Sequence, residues 1–161
     1  MNEALVQLQL PASDVCLVTD IGCIGLADAL FDSVHTVHTT HGRSSAFATG
    51  IQIADALLGT GTLKTIVLIG DGGAMIGLQH LVNAALMNVN ITVLLCNNFL
   101  FGMTGGQHSP TTPCEAKTTT TPGGATDHPF DICATVAANG AAFVARQDVF
   151  DPSLIDRIEQ I

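Results

Sequence analysis

Apolar runs that end in small polar residues recur along the chain. Residues 65–69 are β-branched and aliphatic, and Ile91–Cys96 repeats the pattern further on. Runs of this length and composition predict strands buried on both faces. An earlier apolar run, residues 14–20 (DVCLVTD), is followed by a glycine-bearing turn, IGCIG. Between the runs the period changes. Ser44–Leu58 carries apolar residues at helical spacing and stops at Gly59, and residues 76–87 read as another helix. Residues 130–139 read as a third, ended by Gly140, a residue suited to the helix C-terminus. Residues 142–145 read as a weak strand. Asp151-Pro152 reads as an N-cap and first helical residue opening a last helix.

Strands alternating with helices predict a doubly wound α/β fold, with a mostly parallel sheet covered on both sides and right-handed crossovers. There are no internal repeats, and the threonine run at 118–121 is the one low-complexity patch. Residues 97–128 are rich in Gly, Thr and Pro and have no period. A segment that long in a compact domain is generally functional or disordered, and its mix of Gly-Gly, Thr-Thr-Pro and a lone lysine favours function.

The 161 residues fit one domain with a real core. Apolar residues make up 47% and charged residues 12%, a balance that points to surface buried on partner chains. The apolar runs are too short to span a bilayer. Residues 1–10 are interrupted by Asn2, Glu3, Gln7 and Gln9 and do not form a signal peptide. No membrane association and a cytoplasmic location are expected. A net charge of -9 argues against nucleic acid. A protein this acidic binds phosphate with a metal, backbone N–H groups or a few local cations. The cysteines Cys16, Cys23, Cys96, Cys114 and Cys133 include no C-x-x-C pair. They read as buried, reduced thiols without an iron–sulfur cluster.

In an open parallel sheet, ligands sit beyond the carboxyl ends of the strands. Asp71 and Asn98 stand there, on successive strands. One offers an anionic oxygen, the other an amide oxygen, and the chain past Asn98 can turn a carbonyl inward. Three such oxygens leave about three positions of an octahedral Mg²⁺ for diphosphate oxygens and water. Gly70, Gly72 and Gly73 let backbone approach phosphates. A helix starting near Ile76 aims its N-terminus at the same place. Taken singly, Asp71 reads as a helix cap and Asn97-Asn98 as a turn. Their joint occurrence one βα unit apart favours a ligand site.

G-D-G followed by N-N resembles the thiamine diphosphate signature. The runs NNFLFGMTGGQHSPTTP and KTTTTP, with IGC and HGR upstream, closely resemble the β subunit of 2-oxoacid:ferredoxin oxidoreductases over most of residues 14–147. The resemblance implies thiamine diphosphate as cofactor, with Mg²⁺ bound by Asp71, Asn98 and the Leu100 carbonyl. It implies that Ile21, Gly22, Cys23, His41, Gly42, Gly102 and the G-D-G-G residues line the cofactor. Thr104 falls near the diphosphate or the reacting end, and Met103 falls where the substrate is touched. Cys23, His41 and Thr104 are the expected catalytic residues. The implied activity is oxidative decarboxylation of a 2-oxoacid to acyl-CoA and CO₂, with electrons passed to ferredoxin. The implied partners are an α-type subunit that supplies the glutamate for the aminopyrimidine and a small ferredoxin-like iron–sulfur subunit. Such a chain is not an enzyme alone.

The chain departs from the family pattern in lacking a C-P-G-C-G-H helix ahead of the first strand and in stopping at Ile161. Residues 1–161 are therefore expected to be a single diphosphate-binding domain, either a short form or a fragment. Gly73 stands where an aspartate is common. Other readings are a half-enzyme of a non-oxidative decarboxylase or carboligase, against which the TGGQ…SPTTP…KTTTTP run argues, and a non-catalytic assembly subunit, against which Asp71 and Asn98 argue. His35, His38 and His41 are spaced three apart, but in a loop that spacing does not converge the rings on zinc. Cys23 lacks the cationic setting of a nucleophile, so packing or cofactor contact is favoured. GDGGAMIG lacks the spacing of a dinucleotide fingerprint. His80 reads as structural, and His108 and His128 as either structural or functional. Arg43 and Lys117 are either solvated or paired with a substrate carboxylate or a partner acid.

Overall fold

A computed structural model describes residues 1–31 and 33–160. Four parallel strands form the central sheet: β1 (Val15–Asp20), β2 (His35–Thr39), β3 (Lys64–Gly70) and β4 (Ile91–Cys96), in the order β2-β1-β3-β4. The register aligns Val37, Val18, Val67 and Val93 across the sheet. All of β1 is buried, as a central strand between two parallel neighbours must be.

Five of the helices are α1 (Asn2–Gln7), α2 (Ser44–Leu58), α3 (Asp71–Ile76), α4 (Leu78–Leu86) and α5 (Ile132–Ala138); α6 (Leu154–Glu159) closes the described chain. The main core forms where Cys16 and Val18 of β1 and Val67 and Ile69 of β3 meet Ala48 of α2, Ala74 of α3, Leu81 of α4 and Ile132 of α5. Small residues at 48 and 74 let the helices lie close to the sheet. A 3₁₀ segment, Cys23–Leu30, packs on β1 and β3, with Ile24 next to Gly70.

The strands predicted at 65–69 and 91–96 and the helix at 44–58 are observed, but β4 lies at the sheet edge and is half-buried, with Cys96 exposed, rather than buried on both faces. Several expectations are corrected. The helix expected over 76–87 starts at Asp71 and is split at Gly77. Residues 35–39 are a strand, not a loop: neighbours of β1 are held by its hydrogen bonds whatever their own propensity. Residues 142–145 form no strand. The last helix begins at Leu154, because Asp151 accepts hydrogen bonds from the Ser153 N–H (2.9 Å) and hydroxyl (2.7 Å) and caps a turn instead. The long segment contains a short antiparallel hairpin, β5 (Leu100–Phe101) with β6 (Gln107–His108). Only Cys16 of the five cysteines is buried, and burial pushes its thiol up; Cys133 is half-buried and Cys23, Cys96 and Cys114 are exposed. No helix among the described residues is long and apolar enough to cross a membrane. Several large apolar side chains face outward, including Leu58 (89% exposed) and Phe150 (91%).

Candidate functional site

From β1 the chain moves to β2 on one side; from β3 it moves to β4 on the other. The direction of winding thus reverses between β1 and β3, and ligands bind in the crevice at such a point. Asp20 ends β1 and Asp71 follows β3 there, both buried.

Asp71 opens α3. The Ser109 and Thr111 hydroxyls donate to its Oδ2 at 2.7 and 2.6 Å. Its Oδ1 faces Asn98. The two asparagines after β4 divide their roles. Asn97 Oδ1 accepts from the Phe99 N–H at 3.0 Å, holding a turn in which Phe99 takes a φ of 65°. The Thr112 hydroxyl fixes the same turn by donating to the Phe99 carbonyl at 2.5 Å. Asn98 turns inward instead. One atom of its amide lies 2.8 Å from the Leu100 carbonyl oxygen and 3.0 Å from Asp71 Oδ1. Both neighbours are acceptors. With the amide nitrogen in that position, two hydrogen bonds form. With the oxygen there, three oxygens converge. An octahedron with metal–oxygen bonds of about 2.1 Å has edges of about 3.0 Å, so the spacing suits a small, hard divalent cation. Rotating one amide switches between the two arrangements.

Glycines bring the surrounding segments close. Gly42 has a φ of 74°, and a Cβ there would stand 2.7 Å from Ile76 Cγ2 and 2.8 Å from the Gly77 nitrogen. A Cβ on Gly77 would overlap the Gly42 carbonyl. The H-G-R loop and the helix break therefore pack backbone to backbone, which accounts for the glycines at 42 and 77. The Phe101 ring lies over Gly72, where a Cβ would be 2.6 Å from Cδ1, and meets the His41 ring edge-on at 6.3 Å. A Cβ on Gly102 would be 3.2 Å from Cys23 Sγ and 3.4 Å from Asn98 Nδ2, so these three share one spot.

The fold thus gathers Asp71, Asn98 and Leu100, with Gly70, Gly72, Gly73, Gly102 and Cys23 beside them and His41 and Gly42 across Phe101. Ile21 and Gly22 (φ 134°) lie at the end of β1, Ile21 half exposed. Met103 and Thr104 occupy the exposed hairpin turn. The Thr104 hydroxyl donates to Gln107 Oε1 (2.5 Å), and its carbonyl accepts from Gln107 Nε2 (2.6 Å), so its polar groups serve the turn. The threonine run clasps the hairpin: the Thr119 N–H donates to the Gly106 carbonyl at 3.0 Å, and the Thr120 hydroxyl accepts from the His108 N–H at 2.9 Å. Arg43 donates to the Gly42 carbonyl at 3.1 Å, and Lys117 is exposed. The three upstream histidines do not share a site: His38 turns to Thr19 (2.8 Å) and Asp28 (3.0 Å), and His41 turns to Asp20 (3.2 Å).

Sequence reasoning missed Asp20, Phe101, Ser109 and Thr111. The last two lie in the S-P-T-T-P run, where two hydroxyls near an unpaired buried acid were the available signal. Asp20 accepts from the Gly42 N–H at 2.8 Å. Burial pushes its carboxyl above the ordinary range, against the pull of the Gly42 N–H and His41.

Residues 20–160 match the family described as thiamine pyrophosphate enzyme, C-terminal TPP binding domain. The chain is 45% identical over 142 residues to the 2-oxoglutarate synthase subunit KorB of Archaeoglobus fulgidus, covering 88% of this chain and 51% of that one. It is 36% identical over 152 residues to the 2-oxoacid:ferredoxin oxidoreductase subunit beta of Saccharolobus solfataricus, covering 93% and 48%. It therefore spans about half the length of these relatives. A solved structure of 2-oxoglutarate:ferredoxin oxidoreductase from Magnetococcus marinus, with 2-oxoglutarate, coenzyme A and succinyl-CoA bound, superposes with a TM-score of 0.79 at 34% identity, over 86% of this chain and 46% of that one.

Proposed function

The chain belongs to the thiamine pyrophosphate enzyme family, through its C-terminal cofactor-binding domain, and from that membership we propose that it is the thiamine-diphosphate-binding β-type subunit of a 2-oxoacid:ferredoxin oxidoreductase. One observation carries the reading: the Asn98 amide, the Leu100 carbonyl and Asp71 Oδ1 converge at 2.8 and 3.0 Å beyond the ends of β3 and β4. These three groups would hold Mg²⁺, and the ion would let this acidic protein hold the cofactor's diphosphate. The Ser109 and Thr111 hydroxyls orient Asp71 by occupying its other oxygen. The glycines at 72 and 73 leave room for the Phe101 ring and the Asp20 carboxylate against the first turn of α3, and His41 and Cys23 border the site. When bound, thiamine diphosphate supplies the nucleophilic carbon and electron sink that decarboxylation of a 2-oxoacid requires. The chain's own contribution is binding, orientation and exclusion of water.

The substrate proposed is a 2-oxoacid, with 2-oxoglutarate first because similar relatives carry that name. Coenzyme A is the acyl acceptor. The partners proposed are an α-type subunit contributing the glutamate for the aminopyrimidine and a ferredoxin-like iron–sulfur subunit, in a cytoplasmic assembly. The outward-facing Leu57, Leu58 and Phe150 are consistent with such partners.

The test is titration calorimetry of the purified assembly with thiamine diphosphate, with Mg²⁺ and after chelation, followed by a 2-oxoacid panel with coenzyme A and an artificial electron acceptor. Binding that requires the divalent ion, and turnover that requires the added subunits, are expected. Cofactor affinity indifferent to chelation would refute the cation assignment. Robust turnover by the isolated chain would refute the partners.

A further inference from the structure

Asp20 is the most deeply buried acid near the site, with no exposed surface, and it is not a ligand of the proposed cation. Its two oxygens reach two neighbours of one loop: Oδ1 accepts from the Gly42 N–H at 2.8 Å, and Oδ2 lies 3.2 Å from His41 Nδ1. Its third neighbour is marked by a missing side chain. A Cβ on Gly73 would overlap Asp20 Oδ2. The carboxylate therefore fills the space that any side chain at 73 would take, against the first turn of α3 and two residues from Asp71. One buried group thus links the end of β1, the H-G-R loop and the helix turn that begins with Asp71.

We propose that Asp20 is a positioning residue for the cofactor site: its carboxylate fixes His41 as the Nδ1–H tautomer and clamps the H-G-R loop onto the break between α3 and α4. The inference rests on the reading of this crevice as the diphosphate site. An ionised carboxylate accepts and cannot donate, so the nitrogen facing it carries the proton. The hydrogen bond made by one ring nitrogen sets the state of the other, and neutral His41 then presents a bare Nε2. The His41 side chain is one-third exposed, and its ring edge rests on Phe101, the ring that covers Gly72. Asp20 therefore decides which ring nitrogen of a neutral His41 carries the proton beside Phe101. The clamp on Gly42 has the same origin. Gly42 sits at a φ of 74° in backbone contact with Gly77, and its N–H has the buried carboxylate as partner.

The test uses Asp20→Asn in the full chain, purified with whatever subunits accompany it. The substitution keeps the shape and an oxygen for the Gly42 N–H. It points an NH₂ at His41 Nδ1, which must then lose its proton and become an acceptor. Histidine-selective ¹⁵N NMR without cofactor reads the tautomer, and calorimetry reads thiamine diphosphate affinity with Mg²⁺. The expected result is Nδ1–H in the wild type, Nε2–H in the variant, and affinity weakened about tenfold or more, as for loss of a hydrogen bond to a charged group. A bare Nδ1 in the wild type, an unchanged tautomer in Asp20→Asn, or unchanged affinity would overturn the proposal. If Asp20→Asn does not fold, His41→Asn and His41→Ala are compared. Asparagine can still donate to Asp20, so it should melt above alanine; equal melting temperatures would overturn the clamp. The tautomer is read without ligand, so its failure is distinct from a failure of the wild type to bind thiamine diphosphate.

Discussion

Asp71→Asn separates the two roles of Asp71, one oxygen serving the protein and the other facing the proposed ion. In the native site Oδ2 accepts from Ser109 and Thr111, while Oδ1 stands 3.0 Å from the inward atom of Asn98. An asparagine keeps one oxygen. The two buried hydroxyls need an acceptor, so that oxygen turns to them, and the NH₂ is left facing Asn98 and Leu100. Folding loses little: both hydroxyl bonds persist, weakened from charged to neutral at about 1 kcal/mol each. Cation binding loses much more. The anionic oxygen is replaced by a donor, and a buried charge deprived of its partner costs about 3–5 kcal/mol, a loss of about 10²–10⁴-fold in Mg²⁺-dependent affinity. Asp71→Ala would be a poorer probe, because it strips both hydroxyls of their acceptor and lowers stability as well. The assay is calorimetric titration with thiamine diphosphate at saturating Mg²⁺, alongside a thermal melt without ligand. A nearly unchanged melt with affinity lost is expected. Affinity within a few-fold of wild type would show that Asp71 does not hold the ion.

Three further outcomes are expected. Gly77→Ala places a Cβ on the Gly42 carbonyl, and overpacking of this kind costs about 1–3 kcal/mol; denaturant melts should show the loss, and a neutral result would mean that the H-G-R loop is not tightly docked. Thr112→Val removes the donor to the Phe99 carbonyl and costs about 1–3 kcal/mol if that carbonyl is left without a partner; hydrogen exchange should rise at residues 97–101, and protection equal to wild type would count against the turn as described. The Asp20 carboxyl is raised above its ordinary value of 3.8 by burial, so the folded chain binds this proton more tightly than the unfolded one. Stability from this group falls as pH rises from the ordinary value through the raised one, and is unaffected below both. The stability difference between wild type and Asp20→Asn should drift in that window, and a difference independent of pH would refute the shift.

The sequence by itself carried the parallel sheet and the pair proposed to face a metal. Buried parallel strands must be apolar along their whole length, and the residues just beyond their ends lie at the ligand-binding edge of such a sheet. Asp71 and Asn98 were therefore legible as soon as residues 65–69 and Ile91–Cys96 were read as strands. The motif resemblance added Leu100 and the cofactor, and residues 20–160 match the corresponding family. What stayed hidden depended on contacts between distant segments. β2 is polar at every position but Val37 and became a strand because β1 pairs with it. The glycine at the helix break, Gly77, is required by its approach to the Gly42 carbonyl, a contact spanning 35 residues that no local propensity encodes. Asp20 read as an acid ahead of a turn, yet its burial, its hold on His41 and Gly42, and its claim on the space beside Gly73 arise only when β1, the H-G-R loop and α3 are packed together. Local pattern sets which segments become buried strands. Only close packing between segments decides which polar atoms meet, because hydrogen bonds and glycine contacts depend on ångström-scale distances that periodicity does not contain.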